Sequence, residues 1–250
     1  MDDEGWPSFL SHIKGMELDY HWFIADWVSC RADTRIWTAL DHGMLAGAML
    51  LFKGRVCQIR GGRSAAAAFM DILGDGVMEV VLPRDCGDLV KDRFNVKRSE
   101  DIILMHLEKG KERLVQTGEP VRLGPTDVDD IIKLMRGADP LNWGEMTTGG
   151  INSWVTGGVW YGQRDEGRLV AVAGSWFLGE AKMVNIVAVD EHHRGRGLAK
   201  SVLSRLLFDI FQASGMALIH VRADNEPAIR AYRAVGYLPC AEYRRILISH

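Results

Sequence analysis

From residue 159 onward the hydrophobic positions follow a regular succession of periods. Residues 159–162 and 168–177 read as strands, separated by the turn signal Arg164-Asp165-Glu166-Gly167. A second turn at Gly179-Glu180 leads into a strand over 183–189. The period then changes. Leu198, Val202, Leu206 and Phe211, with Leu203, Leu207 and Ile210, line one face of a helix predicted over 197–213. A strand over 216–221 follows, then an amphipathic helix over 227–235 stopped by Gly236, and strand-like residues over 243–248. An antiparallel meander feeding a strand–helix–strand–helix unit predicts a mixed α/β sheet rather than a doubly wound one.

Upstream, residues 121–123 read as a short strand. Thr126 or Asp127 caps a helix to about Arg136, with Val128, Ile131, Ile132 and Met135 at helical spacing. Glu119-Pro120 to Gly124-Pro125 is the clearest internal boundary, and the charged run Lys109 to Arg113 before it suits a surface linker. The expected division is therefore 1–118 and 119–250. The first part predicts helices over 6–13 and 20–28, and a hairpin of 36–40 with 44–52 turning at Asp41-His42-Gly43. It continues with a strand over 56–60, a helix over 64–73, a strand over 78–82, a helix over 86–94 and a strand over 101–107.

Composition narrows the classes. The chain has 250 residues, 47% hydrophobic and 25% charged, enough for one large or two ordinary domains. With 30 basic and 33 acidic residues spread along it, no basic stripe argues for nucleic acid. The longest apolar runs, 44–52 and 169–178, fall far short of the ~20 residues that span a bilayer. The acidic start Met1-Asp2-Asp3-Glu4 lacks a signal-peptide plan, so the expected location is cytoplasmic. Cys30, Cys57, Cys86 and Cys240 form no CxxC pair, and no metal-ligand spacing is visible; no metal is expected.

The chemistry concentrates at Val187-Ala188-Val189-Asp190-Glu191-His192-His193-Arg194-Gly195-Arg196-Gly197-Leu198-Ala199, where a strand ends, a glycine-rich loop follows and a helix begins. Unpaired N–H groups at a helix start, with glycines that let an anion approach, make a pyrophosphate cradle, and Arg194 and Arg196 add positive charge. A plain strand-to-helix turn would use such glycines too. No Gly-Lys-Ser/Thr follows, and the spacing is not that of a dinucleotide fingerprint.

Arg194, Gly197 and Ala199, with Gly195 between, match the Arg/Gln-x-x-Gly-x-Gly/Ala signature of the GNAT superfamily. Asn225, Ala228, Tyr232, Gly236 and Tyr237 match its second signature, Asn-x-x-Ala-x-x-x-Tyr-x-x-x-Gly-Phe/Tyr. The second half thus resembles a GNAT acyl-CoA-dependent N-acyltransferase over about 130 residues. The resemblance implies a mostly antiparallel mixed sheet flanked by helices. It implies acetyl-CoA as cosubstrate, held by the amides of 194–199, with Val187, Ala188 and Val189 exposing backbone to the pantetheine arm. The strand over 216–221 would splay away to open a slot. Asn225 would contact the coenzyme, though its local reading is a helix N-cap, and the two are compatible. Tyr232 takes the place of the acid that protonates the leaving thiolate; its bland reading is core packing.

The base is the point of departure, because the strand before the loop carries no carboxylate. Glu145 and Glu180 are the candidates, and Asn185 could orient a water or the substrate. The Gly- and Trp-rich segment around Trp143 and Trp154 reads as a lid over the acceptor, or as a loop filling a gap. Residues 1–118 are either a degenerate copy of the same fold or an unrelated α/β domain. The order of elements favours the copy, with Arg60-Gly61-Gly62-Arg63 in the loop position. The expected function is acetyl transfer to a primary amine, possible partners being an amine-bearing acceptor and a second copy in a homodimer. A non-catalytic acyl-CoA sensor is the alternative, and aminoacyl transfer from tRNA is disfavoured by the charge pattern.

Overall fold

The computed structural model describes residues 1–176 and 181–249. Its contacts divide the chain into two units. The first comprises Met1–Leu104, Arg222–Asp224 and the chain from Cys240 on; the second comprises Met105–Val221 and Asn225–Pro239.

In the first unit, helices α1 (Trp6–His12) and α2 (His21–Ser29) precede strands β1 (Thr34–Asp41), β2 (Met44–Phe52) and β3 (Val56–Gly61). Helix α3 (Arg63–Ile72), β4 (Glu79–Pro83), the short α4 (Gly87–Lys91) and β5 (Val96–Glu108), whose residues from Met105 on belong to the second unit, follow. The β1–β2 hairpin closes through His42 and Gly43, both at positive φ (48° and 80°), which is the two-residue turn whose twist suits flanking strands. Strands β1, β2 and β3 pair antiparallel, β3 and β4 pair parallel, and α3 makes the crossover. The last strand of the chain, β11 (Leu238–Ile248), runs antiparallel to β4, with Tyr243 opposite Pro83 and Leu247 opposite Glu79. That pairing is why the end of the chain groups with the beginning. One face packs Phe9, Ile13, Phe23 and Trp27 on Ile36, Ala48 and Leu50; the other packs Phe69, Met70 and Leu73 on Ile59, Val80 and Ile246.

The second unit repeats this plan. After β6 (Val121–Arg122) come α5 (Val128–Ala138), α6 (Pro140–Trp143) and α7 (Thr148–Gly157). Then follow β7 (Gly158–Asp165), β8 (Arg168–Trp176), β9 (Ala181–Val189), α8 (Leu198–Ala213), β10 (Met216–Arg222) and α9 (Glu226–Val235). Strands β7, β8 and β9 pair antiparallel, β9 and β10 pair parallel, and α8 makes the crossover. Ile131, Ile132 and Met135 of α5 pack with Ile151 and Val155 of α7 on Trp160, Val172 and Ile186. Both units therefore show one mixed, mostly antiparallel sheet flanked by helices.

Two expectations change. The segment after β5 is no free linker: Arg113 N–H donates to Val235 C=O, Val115 N–H to Ser204 Oγ and Thr117 N–H to Ser201 Oγ, tying it along α8 and α9. The contacts accordingly start the second unit at Met105, fourteen residues before the boundary read from the Glu119-Pro120 signal. The glycine-rich stretch after α6 is helical from Thr148, because Thr147 caps it by accepting from Gly150 N–H at 3.2 Å.

Candidate acyl-coenzyme site

The site is built where β9 and β10 part. Their parallel ladder runs from Met216↔Ala181 to Ile219↔Val184 and stops there. On its other side β9 stays paired to β8 as far as Val189, so Ile186–Val189 face β8 on one edge and, among the described residues, no strand on the other. The register also skips at this point: Gly174 faces Ile186 and Ser175 faces Val184, leaving Asn185 as a bulge in β9. Bulges of this kind re-aim backbone and side chains beside functional clefts.

Past Val189 the chain makes a single 3-10 turn over Glu191–His193 and then the glycine loop. Gly195 and Gly197 adopt φ of 80° and 81°, a left-handed geometry costly for any residue with a Cβ. Gly197 is the N-cap of α8, whose first internal bond is Ser201 N–H to Gly197 C=O at 3.1 Å. The amides of Leu198, Ala199 and Lys200 precede that bond and present the positive end of a 16-residue helix.

The base of the loop is pinned by charge. Asp190 takes a hydrogen bond from Arg168 (2.6 Å) and one from His192 N–H (3.1 Å), and lies 2.8 Å from His193 Nδ1. The His193 contact first, then the His192 amide and the Arg168 charge, hold its carboxyl below the usual carboxylate range. His193 Nε2 lies 3.2 Å from Asp165, which also pairs with Arg196 at 3.5 Å. Arg194 donates to Ala138 C=O (3.2 Å) at the end of α5. The two arginines are thus held to the rim by their neighbours.

Tyr232 is buried on α9, its ring 6.1 Å from that of Tyr237, and burial pushes its hydroxyl pKa well up. At neutral pH it keeps its proton. Asn225 caps α9 by accepting from Ala228 N–H at 3.2 Å, the local role its position suggested. Glu145 is exposed on the turn between α6 and α7, and Glu180 lies outside the described residues. Trp143 and Trp154 meet edge to face at 6.2 Å and pack with Met146 against the α5–α7 core. Among the described residues no cluster of His, Cys, Asp and Glu is arranged for a metal ion, and no helix is long and apolar enough to cross a membrane.

The equivalent place in the first unit differs in one decisive respect. Eight residues (190–197) connect β9 to α8, whereas Gly62 alone connects β3 to α3. There Arg63, at the first helical position, is ion-paired to Asp88, and Arg60 is buried against Asp19 and the Tyr243 ring. No loop is left to cradle an anion.

Residues 129–237 match the acetyltransferase (GNAT) family. Those residues form a GNAT domain. A stretch of 80 residues is 36% identical to the N-alpha-acetyltransferase RimI of Mycobacterium tuberculosis, covering 30% of this chain and 49% of that protein. The chain spans about a third to a half of the curated relatives it matches, the other being a Mycobacterium leprae protein covered over 35% of its length. Among solved structures, a GNAT-family protein from Novosphingobium aromaticivorans is similar over 81% of this chain and 89% of its own, at 23% identity and a TM-score of 0.58. A tandem GNAT protein of the clavulanic acid biosynthesis pathway is similar over 86% and 82%, at 14% identity and a TM-score of 0.51. The GNAT fold thus extends over both units.

Proposed function

We propose that this protein moves an acetyl group from acetyl-CoA directly to a primary amine, in the cytoplasm. The observation that supports the reading is the juxtaposition of the glycine loop and helix start at 195–200 with the edge of Ile186–Val189 that, among the described residues, pairs with no strand. A pyrophosphate on the loop amides and a pantetheine along that edge fit this geometry. Val187, Ala188 and Val189 would supply the backbone edge. Arg194, Gly195, Arg196, Gly197, Leu198 and Ala199 would supply the cradle, and the amide of Asn225 that capping leaves over would reach the coenzyme.

Direct transfer needs a neutral amine, a polarised carbonyl and a proton for the thiolate. Tyr232, buried on α9 and protonated at neutral pH, is the proposed donor for the leaving sulfur. The deciding experiment is acetyl-CoA-dependent thiol release with a panel of amines, on the wild type and Tyr232→Phe. The expected result is release with at least one amine class and a fall in turnover of about 10²-fold or more in the variant. A second reading, an acyl-CoA sensor without turnover, is favoured by one observation: β9 carries no carboxylate. Acetyl-CoA binding without thiol release from any amine would move that reading ahead.

A further inference from the structure

Glu145 and Glu180 are the carboxylates offered so far to take the proton from the acceptor amine, and the structure holds a further titratable group with no role yet. In β5, His106 turns a ring nitrogen, Nδ1, into a position shut off from solvent where it meets no hydrogen-bonding group among the described residues. A buried polar atom in that condition marks a place where water or a ligand belongs.

Its location follows from the backbone. Lys109 N–H donates to Gly215 C=O (2.9 Å) and Ala223 N–H donates to Asp101 C=O (2.8 Å). These two bonds fix β5 and β10 antiparallel, with His106 opposite Leu218. His220 is two positions along β10 from Leu218 and so lies on the same face as His106. Leu107, the next residue of β5, points the other way, since it lies against Gly236 at the end of α9. Both imidazoles therefore occupy the sheet face opposite α9. The last residue of β10 paired to β9 is Ile219, so His220 stands at the first position past the end of that ladder, level with the Asn185 bulge.

We infer that His106 and His220 form the proton-accepting side of this site, approached by the amine from the face opposite Tyr232; the inference rests on the acetyltransferase reading. The geometry suits the chemistry. At the carbonyl carbon the attacking nitrogen and the leaving sulfur need separate proton partners, and the parted strands put an imidazole pair on one face and the phenol on α9 beyond the other. An alkylammonium gives one proton to the imidazole, which passes it to solvent. The freed nitrogen lone pair forms the C–N bond, and the C–S bond breaks with its electron pair going to sulfur. The thiolate takes the Tyr232 proton, and the second proton shed by nitrogen replaces it through solvent. The products are the amide, free coenzyme thiol and one proton released. An imidazole is the side chain able to accept a proton at neutral pH without a strand carboxylate.

The test uses the full chain as wild type, His106→Gln and His220→Gln. Acetyl-CoA affinity is measured by calorimetry, and kcat/KM against pH with an amine that releases thiol. The expected result is acetyl-CoA affinity within about twofold of wild type, with kcat/KM down about 10²-fold in at least one variant and the acidic limb of its pH profile displaced. A merely structural role would lower melting temperature and affinity while leaving the limb in place. Unchanged turnover and an unchanged limb in both variants would overturn the assignment. If the wild type binds acetyl-CoA but acetylates no amine, the acetyltransferase reading fails by itself. The placement is then judged by imidazole ¹⁵N spectra: saturating acetyl-CoA shifts the His106 and His220 resonances if they face the acetyl group, and unmoved resonances refute it.

Discussion

Gly197→Ala is the perturbation whose size can be worked most directly from the loop. Gly197 sits at φ 81° as the N-cap of α8, and a Cβ there would come within 3.3 Å of Thr117 Oγ1, a contact a small side-chain shift relieves. The cost is therefore mainly conformational, about 1–2 kcal/mol for a left-handed non-glycine residue. Two outcomes share that energy. If the loop keeps its shape, the free protein loses the whole amount and its melting temperature falls by roughly 2–4 °C per kcal/mol. If the loop relaxes, the free protein keeps its stability and coenzyme A affinity falls by about 5–30-fold. Either way the coenzyme-bound state, which needs the native loop, loses about 1–2 kcal/mol against the unfolded chain. Calorimetric affinity for coenzyme A and denaturant melts of the free protein supply the two parts. Gly62→Ala in the first unit is the control, since φ there is −75° and the space is open. A combined loss for Gly197→Ala below about 0.5 kcal/mol would refute the argument that this backbone shape is what binds the pyrophosphate.

Other consequences are as direct. Ser201→Ala removes the hydroxyl that bonds both Thr117 N–H and Thr117 C=O, so stability should fall by about 1–3 kcal/mol with faster amide exchange at Thr117. Gly236→Ala forces a Cβ to 2.7 Å from Lys111 C=O at φ 112°, and should cost about 2–4 kcal/mol in a denaturant melt. Asp26, buried on α2, has its pKa raised to about 7 by burial. Because the folded value lies above the unfolded one, its neutral form favours folding at low pH, and stability is lost as pH rises from about 4 through 7. Asp26→Asn should raise the melting temperature at pH 8, by an amount worth up to about 4 kcal/mol, and leave it nearly unchanged at pH 4.

Much of this was legible in the chain because local patterns matched global roles. The apolar face of α8, the loop glycines and the Asn225-to-Tyr237 spacing each depend on neighbours within one or two turns, and each lies where its pattern places it. What was not legible depends on distant partners. Residues 109–118 look like a linker because their charges and glycines face solvent in any local reading; Ser201 and Ser204, which hold them, lie 84 and 89 residues away. Helix α7 was hidden by Gly149 and Gly150, whose low propensity masked the Thr147 cap. His106 and His220 sit more than a hundred residues apart, and only the antiparallel register of β5 with β10 sets them on one face. The Asn185 bulge leaves no mark in a strand-length hydrophobic run.

The closure of the first unit by β11 has a consequence for biosynthesis. An N-terminal unit ordinarily can fold while the rest of the chain is still being made. Here β4 gains its β11 partner only after residue 247 has been added, since Leu247 is the residue that faces Glu79. Until then one edge of a buried, Val- and Leu-rich strand waits open, and an open edge of that kind is a template for wrong pairing. The ribosome-bound chain is therefore exposed to aggregation until β11 has been made, and a chain stopped before it should engage holding chaperones through β4.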